Sequence, residues 1–370
     1  MEVTPLFNVT NIGTAIIGTG IFGAAHIQAL RRLGVNIVSV AGSSPAPSAI
    51  GAEALSTSKS FVLLAEPLED PHLQVVQLTS PNDEHCDQLK HFLAAGPRVI
   101  CEKRLVMTSL QLAEFVKLAR ALERVVAACS NTRIYPLNQP AYCKVLTREL
   151  GDNHFVTGHY HQDWLAKFSD WNRRPETDEG GNLRSVGDIC TRWLDLTSYI
   201  TGLRITAIMA EVTTLFKVRR RTKGPVETLT QLQGTTYAYK IDATDVVANM
   251  PLDAGDPRGV KSTSPINGRR KNSPLWAVAD SAASAAPDSE TKDHLRIRRR
   301  DGPNQILERD GSLLEWMRVE AARLPDWHLE GFAHTFLALI RQVYGRVAAS
   351  KRSAEANYAS IEDGHYAFRI

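Results

Sequence analysis

The run Gly18-Thr19-Gly20-Ile21-Phe22-Gly23 carries the most specific chemistry in the chain. A strand-like stretch precedes it and a helix-like stretch follows, the setting in which G-x-G-x-x-G cradles a dinucleotide. Gly18 makes the tight turn, Gly20 lets the backbone approach a pyrophosphate, and Gly23 lets helix and strand pack closely. The backbone N–H groups at the helix start, around Ile21 and Phe22, favour the phosphate charge. The next strand-like run ends Ala41-Gly42-Ser43-Ser44, with no acid to accept ribose hydroxyls and no arginine close behind. The hydroxyls of Ser43 and Ser44 either bond a 2′-phosphate or tolerate both cofactors, so the reading is NAD(P) with a lean to NADP. Lys103 follows another strand-like run, at the strand end where open parallel sheets bind ligands. Asp188 and Arg192 stand i,i+4 on a helical stretch and share one face, with Asp195 three residues on. Spacing alone makes them an ordinary helix ion pair, worth about 0.3–0.5 kcal/mol.

These residues need a scaffold, and the first third of the chain supplies alternating signals for one. Residues 14–18, 35–41, 74–79, 98–101 and 124–129 are short apolar, β-prone runs. Residues 21–33, 83–95 and 109–122 have helical spacing, and Gly34 and Gly96 close two of them. Strands separated by helices mean a parallel, doubly wound sheet, here over residues 1–131. Beyond that, helices are expected over 139–150, 183–201 and 331–348 and a strand over 153–161. Several β-prone runs between 204 and 299 imply a large, mostly antiparallel open sheet. Residues 132–370 then form a second, α/β domain. The stretch 279–291 reads as an exposed loop. The basic clusters 219–221, 269–271 and 298–300 read as solvated charge.

Composition narrows the partners. The 370 residues carry 43 Lys+Arg against 40 Asp+Glu, a formal net charge of +3. That balance, without aromatics among the basic clusters, argues against nucleic acid. No apolar run reaches membrane-spanning length, and the first apolar segment reads as a strand rather than a leader. Five cysteines without a C-x-x-C pair argue against a disulfide framework or a structural zinc site, and no metal is assigned. A reducing, cytoplasmic setting fits best.

Three further segments add to the glycine run: Thr79-Ser80-Pro81-Asn82 with His85, Cys101-Glu102-Lys103-Arg104-Leu105, and the helix stretch Gly187-Asp188-Ile189-Cys190-Thr191-Arg192-Trp193-Leu194-Asp195. In this order they resemble the glucose–fructose oxidoreductase/inositol dehydrogenase (Gfo/Idh/MocA) family. Asp163-Trp164, Asp170-Trp171, Leu324-Pro325, His328-Leu329-Glu330-Gly331-Phe332 and Ile361-Glu362-Asp363-Gly364-His365 extend the resemblance over nearly the whole chain. It implies an NAD(P)-dependent oxidoreductase acting on sugars, polyols or their derivatives. It also implies a homo-oligomer, dimer or tetramer, built through the second domain's sheet. Pro81, Asn82 and His85 would lie near the nicotinamide ribose, with Ser80 in the same cofactor-binding loop, and Glu102 would contact the cofactor. Lys103 would hold the reacting hydroxyl while also bordering the cofactor, and Asp188 would be a carboxylate of the catalytic site. His85 reads almost equally as a partly buried histidine at a helix start.

The chain departs from the family pattern at informative places. The family's acid/base histidine falls at Arg192, and arginine stays protonated at any ordinary pH. Arg192 can still serve the site as a fixed cation or a donor to an oxyanion. Arg104 replaces the proline after the lysine, which should loosen the turn and Lys103 with it. Two of these changes add cations beside Lys103, a setting that favours anions and weakens a lysine's hold on its proton. Cys190 stands where the family has glycine, and the family pattern continues through another helix or strand beyond Ile370. Two classes of function follow: an oxidoreductase with an altered acid/base group, or an NAD(P)-binding relative of low activity that acts as a sensor or regulator.

Overall fold

A computed structural model describes residues 8–54, 56–57, 59–161, 186–208, 210–214, 216–222, 236–240, 246–253, 260–264, 273–287, 293–310, 324, 328–349 and 358–369. They form two compact units, one of residues 1–135, 320–324 and 330–369, the other of residues 136–319 and 325–329 with 370.

In the first unit, β1 (Gly13–Ile17), β2 (Asn36–Ala41), β3 (Ser60–Phe61), β4 (Leu73–Leu78), β5 (Arg98–Cys101) and β6 (Val126–Ala128) pair in parallel. Their order is β6-β5-β4-β1-β2-β3, so the sheet changes direction between β1 and β4. Open sheets of this kind bind ligands at that switch point, beyond the carboxyl ends of the strands. The strands form because they are continuous apolar runs buried on both faces; every residue of β1 is buried. Helix α1 (Ile21–Leu33) stops at Gly34, whose φ of 72° is the left-handed conformation that lets its N–H turn back to Leu30 and Arg31. Helices α3 (His85–Ala95) and α4 (Ser109–Ala121) follow, and Thr108 with Gln111 makes a reciprocal cap for α4. A helix over Pro45–Ala54 and the two-residue β3 had no clear periodicity to announce them. Prolines in a helix's first turn cost nothing, because those N–H groups need no partner within the helix.

The expected second domain over 132–370 does not coincide with the second unit, which begins at Pro136 and leaves the last helices to the first. Helices Phe332–Ala349 and Ile361–Arg369 belong to the first unit. The first presents Phe336, Ile340, Val343, Tyr344 and Val347 at helical spacing, and these share one buried cluster with Ile16, Ile27 and Leu30. An apolar stripe of that width must be covered, and the first unit's core covers it. Between these helices, Ala359–Ser360 adds an antiparallel edge strand to β6.

The second unit holds a nine-stranded, mostly antiparallel sheet. Its main path runs Gln305–Glu308, His294–Arg299, Ala283–Pro287, Ser273–Asp280, Asn153–His161, Val260–Ser264, Val246–Asp253, Ala207–Ile208. Glu211–Thr213 also pairs with Val246–Asp253, and among the described residues of this sheet only the pairing of Val260–Ser264 with Asn153–His161 is parallel. A separate hairpin joins Val218–Thr222 to Thr236–Lys240. Helix Thr191–Thr201, entered through a π-helical turn at Val186–Cys190, shares a buried cluster with the sheet, and the Trp193 indole donates to the Leu275 carbonyl at 2.8 Å. A Cβ at Gly158 would lie 2.2 Å from that carbonyl oxygen and 2.7 Å from the indole nitrogen, so glycine is what lets strand and helix meet.

Two local expectations are corrected here. Much of 279–291 is hairpin rather than loop: Ala283–Pro287 is a strand with Ala283 and Ala285 buried, small side chains pointing inward in alternation. In the cluster 219–221, Arg219 is buried and its guanidinium lies 4.8 Å from the centre of the Phe216 ring. The cluster 269–271 lies outside the described residues, as do Asp163, Trp164, Asp170 and Trp171. Among the described residues no helix is long and apolar enough to cross a membrane.

Candidate active site

The glycine turn leaves β1 and enters α1. Gly18 has φ of 108°, and a Cβ there would strike the Thr79–Ser80 backbone at 2.6–2.7 Å. A Cβ on Gly23 would sit 2.1 Å from the Gly18 carbonyl oxygen, so this glycine is the close-packing one. Gly20 differs: a Cβ there would meet nothing within 4 Å. Its lack of a side chain therefore keeps space open at the mouth of α1 rather than satisfying the fold. No side chain caps α1 at Gly20, which suits an anion at that terminus. Ile21 is exposed beside this space, whereas Phe22 packs on the first unit's core, so its part in holding a phosphate falls to its backbone. At the end of β2, Ser43 is exposed, and the Gly42 N–H donates to Ser48 Oγ at 2.8 Å, which curls the loop into the next helix. The residues present thus fit a dinucleotide: an open pyrophosphate cradle with hydroxyls at the ribose end.

The loop after β4 is held to the glycine turn. Thr79 Oγ1 donates to the carbonyls of Ile17 and Gly18 at 3.0 and 2.9 Å. Ser80 Oγ donates to Gln88 Oε1 at 2.6 Å, and Pro81 and Asn82 are half-buried ahead of α3. His85 is fully buried and faces two backbone carbonyls, Arg104 at 2.7 Å and Ser80 at 3.0 Å. Its ring nitrogens brace the β4 and β5 loops together. Arg104, at the place where the family has proline, is itself buried and its carbonyl is in this brace. The Lys103–Arg104 peptide is cis.

Burial holds the His85 pKa below its ordinary 6.5, against the opposing pull of the Arg104 and Ser80 carbonyls and of the Glu102 and Asp83 charges. The sign for stability follows. As pH falls through about 6.5 the unfolded chain takes up a proton that the folded chain still refuses, so stability is lost on acidification. The thermal unfolding midpoint should fall between about pH 7 and pH 5, and His85→Asn should flatten that fall. An unchanged slope in His85→Asn would contradict the assignment.

Lys103 closes β5 with its side chain only 8% exposed. Its ammonium lies 3.7 Å from Glu102 Oε2, and its backbone N–H donates to the same oxygen at 3.2 Å. Glu102 Oε1 turns the other way, to His26 Nε2 at 3.2 Å. Both carboxylate oxygens are thus engaged within the chain. His26, four residues into the α1 pattern from Phe22, was not marked by any sequence signal: a lone histidine on an apolar helix face reads as core.

In the second unit, Asp188 and Arg192 are 6% and 5% exposed. Arg192 Nη2 lies 3.7 Å from Asp188 Oδ1, and its Nε donates to the Asp188 carbonyl at 3.1 Å. The pairing expected from i,i+4 spacing is present, but buried instead of solvated. Asp195, on the same helix, is buried too.

Comparison with known proteins now bears on this arrangement. Residues 12–129 match the model for the oxidoreductase family with an NAD-binding Rossmann fold, and residues 144–246 match the GFO/IDH/MocA C-terminal domain. The chain belongs to the Gfo/Idh/MocA oxidoreductase family. Among Gfo/Idh/MocA relatives, levoglucosan dehydrogenase of Pseudarthrobacter phenanthrenivorans is 25% identical over 302 residues, 78% of this chain and 76% of that one. D-xylose 1-dehydrogenase (NADP+) of Hypocrea jecorina is 25% identical over 149 residues, 38% of each chain. Solved structures share the fold. Levoglucosan dehydrogenase in complex with NADH and L-sorbose superposes with a TM-score of 0.83 at 20% identity, over 96% of this chain and 94% of that one. An inositol dehydrogenase homologue complexed with NAD+ from Azotobacter vinelandii gives 0.83 at 21%, over 97% and 92%. Membership in Gfo/Idh/MocA supports a general oxidoreductase role with a nicotinamide cofactor.

Proposed function

We propose that the chain interconverts a hydroxyl and a carbonyl on a sugar, polyol or derivative, with NAD(P) as hydride carrier. The observation that carries this reading is Lys103, a nearly buried ammonium at the carboxyl end of β5, on the same edge of the sheet as the open Gly20 cradle. A bound nicotinamide accepts or supplies the hydride. Gly18, Gly20 and Gly23 shape its pyrophosphate site, with the backbone of Ile21 and Phe22 at the helix mouth and Ser80, Pro81 and Asn82 beside the ribose. Lys103 holds the reacting oxygen and stabilises negative charge on it. Asp188 and Arg192 serve the substrate side as carboxylate and fixed cation. The exposed Ser43 hydroxyl, with no acid near it, supports NADP over NAD, and one relative's name specifies NADP+. Exposed Val212, Val218, Tyr237 and Ile306 on the second unit's β structure support self-association through that surface, and the thiol-only cysteines fit a reducing cytoplasm.

Arginine at 192 favours a second reading, an NAD(P)-binding sensor of low activity. A panel of pyranoses and polyols with NADP+ separates the two. Slow, saturable reduction of the nicotinamide on at least one compound is expected. Tight NADPH binding with no turnover on any of them would favour the sensor.

A further inference from the structure

Five buried polar groups run as one chain through the first unit and end at Lys103. Thr14 Oγ1 lies 2.7 Å from Tyr344 Oη, and Gln77 Nε2 donates to Tyr344 Oη at 2.9 Å. Gln77 Oε1 lies 2.5 Å from His26 Nδ1, and His26 Nε2 lies 3.2 Å from Glu102 Oε1. Thr14, Gln77 and His26 are wholly inaccessible to solvent and Glu102 nearly so.

With the Gln77 amide oriented as found, donor and acceptor arithmetic places a proton in this chain. In that orientation the amide nitrogen donates to Tyr344 and the oxygen faces His26, so His26 Nδ1 carries the hydrogen. A neutral ring protonated at Nδ1 has a bare lone pair at Nε2. An ionised Glu102 offers lone pairs only. The two would repel at 3.2 Å in a dry interior unless a proton lies between them. The pair is therefore imidazolium with carboxylate or imidazole with carboxylic acid, and it is neutral in sum either way. Three neighbouring groups among the described residues leave that count unchanged. Burial pushes the Cys129 thiol, 3.8 Å from Nε2, well up, and does the same to Cys101 and to the Tyr344 phenol, so all three are neutral. Burial lowers the His85 pKa.

We infer that His26 is a positioning residue that cancels the charge of Glu102, so that Lys103 faces a neutral pair and gives up its proton more readily than it would beside a bare carboxylate. The inference rests on the role given above to Lys103. Glu102 then fixes the lysine's place without fixing its charge, and a lysine so placed can exchange a proton with the reacting oxygen while the alcohol loses hydride. An imidazole serves here because it spans two acceptors with one proton to share. Asparagine has the reach of one ring nitrogen but cannot carry the extra charge.

The test reads the lysine directly in the chain without cofactor or sugar. In [13Cε]lysine-labelled protein, with Lys103 assigned through Lys103→Met, its titration midpoint is followed by NMR. His26→Asn should raise that midpoint by about one pH unit or more, since a carboxylate charge a few ångströms away is no longer cancelled. His26→Asn/Glu102→Gln should return it to near the wild-type value. A purely structural His26 predicts no such rescue, and a midpoint that stays put in His26→Asn, or stays raised in the double variant, overturns the inference. Should His26→Asn not fold, wild type and Glu102→Gln decide: a solvent-shielded, far-downfield proton of an N–H–O bridge is expected in the first and lost in the second. Its absence from wild type overturns the inference. Because none of these readings needs turnover, a chain that reduces no cofactor would refute the oxidoreductase reading while leaving this one to its own measurement.

Discussion

NADPH titrated into Gly20→Val is expected to show no saturable binding, while the variant unfolds at the wild-type temperature. The two halves of this expectation have one cause. A Cβ at position 20 would meet nothing within 4 Å, so the fold has room there. The space it fills is the cradle that a pyrophosphate needs at the start of α1. An affinity loss of at least about 10²-fold follows if the phosphates lose both their backbone approach and the helix terminus. Gly23→Val makes the contrast: its Cβ would strike the Gly18 carbonyl oxygen, so that variant should lose stability as well as binding. Calorimetric titration with parallel thermal melts checks both. NADPH bound normally by Gly20→Val would remove the glycine turn from the cofactor site.

Arg192→His is expected to raise kcat by about 10²-fold, the size of a positioned acid/base group. Arg192 sits one helical turn from Asp188, both nearly buried and 3.7 Å apart. As a permanent cation it can hold an anionic oxygen but cannot accept a proton. Histidine at that place titrates near neutrality, and Asp188 can orient it as Arg192 is now oriented. The gain should appear in kcat above about pH 6.5, with NADPH affinity unchanged. Steady-state rates across pH 6 to 10 on the best compound of a polyol panel measure it. Robust wild-type turnover with a slower histidine variant would show that Arg192 itself drives the reaction.

The parallel sheet was legible because buried strands are continuous apolar runs and their glycines mark real turns: α1 ends at Gly34 as its spacing implied. The fate of the last helices was not. The stripe Phe336, Ile340, Val343, Tyr344 and Val347 declares that the helix must be covered, and nothing in one helix's sequence says by what. The surroundings of Arg104 were illegible for a related reason: its carbonyl lies against His85, on another element, and no local reading shows that contact. In the site, the residues proposed to touch a ligand carried short motifs, whereas His26 and Gln77, which face inward, carry no pattern. Their roles depend on which polar atoms lie opposite them, and only three-dimensional structure supplies that. Asp188 and Arg192 were legible as a pair from spacing, but their burial depends on the sheet against which their helix packs.

Hydride transfer itself is the claim on which the account turns, and isotope transfer reads it without regard to how slow the turnover is. The wild-type chain is incubated with NADP+ and a sugar deuterated at the carbon to be oxidised, taken from the panel above, and the recovered nicotinamide is analysed by mass spectrometry and NMR. Deuterium should appear at the C4 position of the nicotinamide, on one face only. The transfer should fall by at least about 10²-fold in Lys103→Met, which still binds NADPH. Saturable NADPH binding with no deuterium in the nicotinamide, whichever sugar or polyol is supplied, would contradict the account.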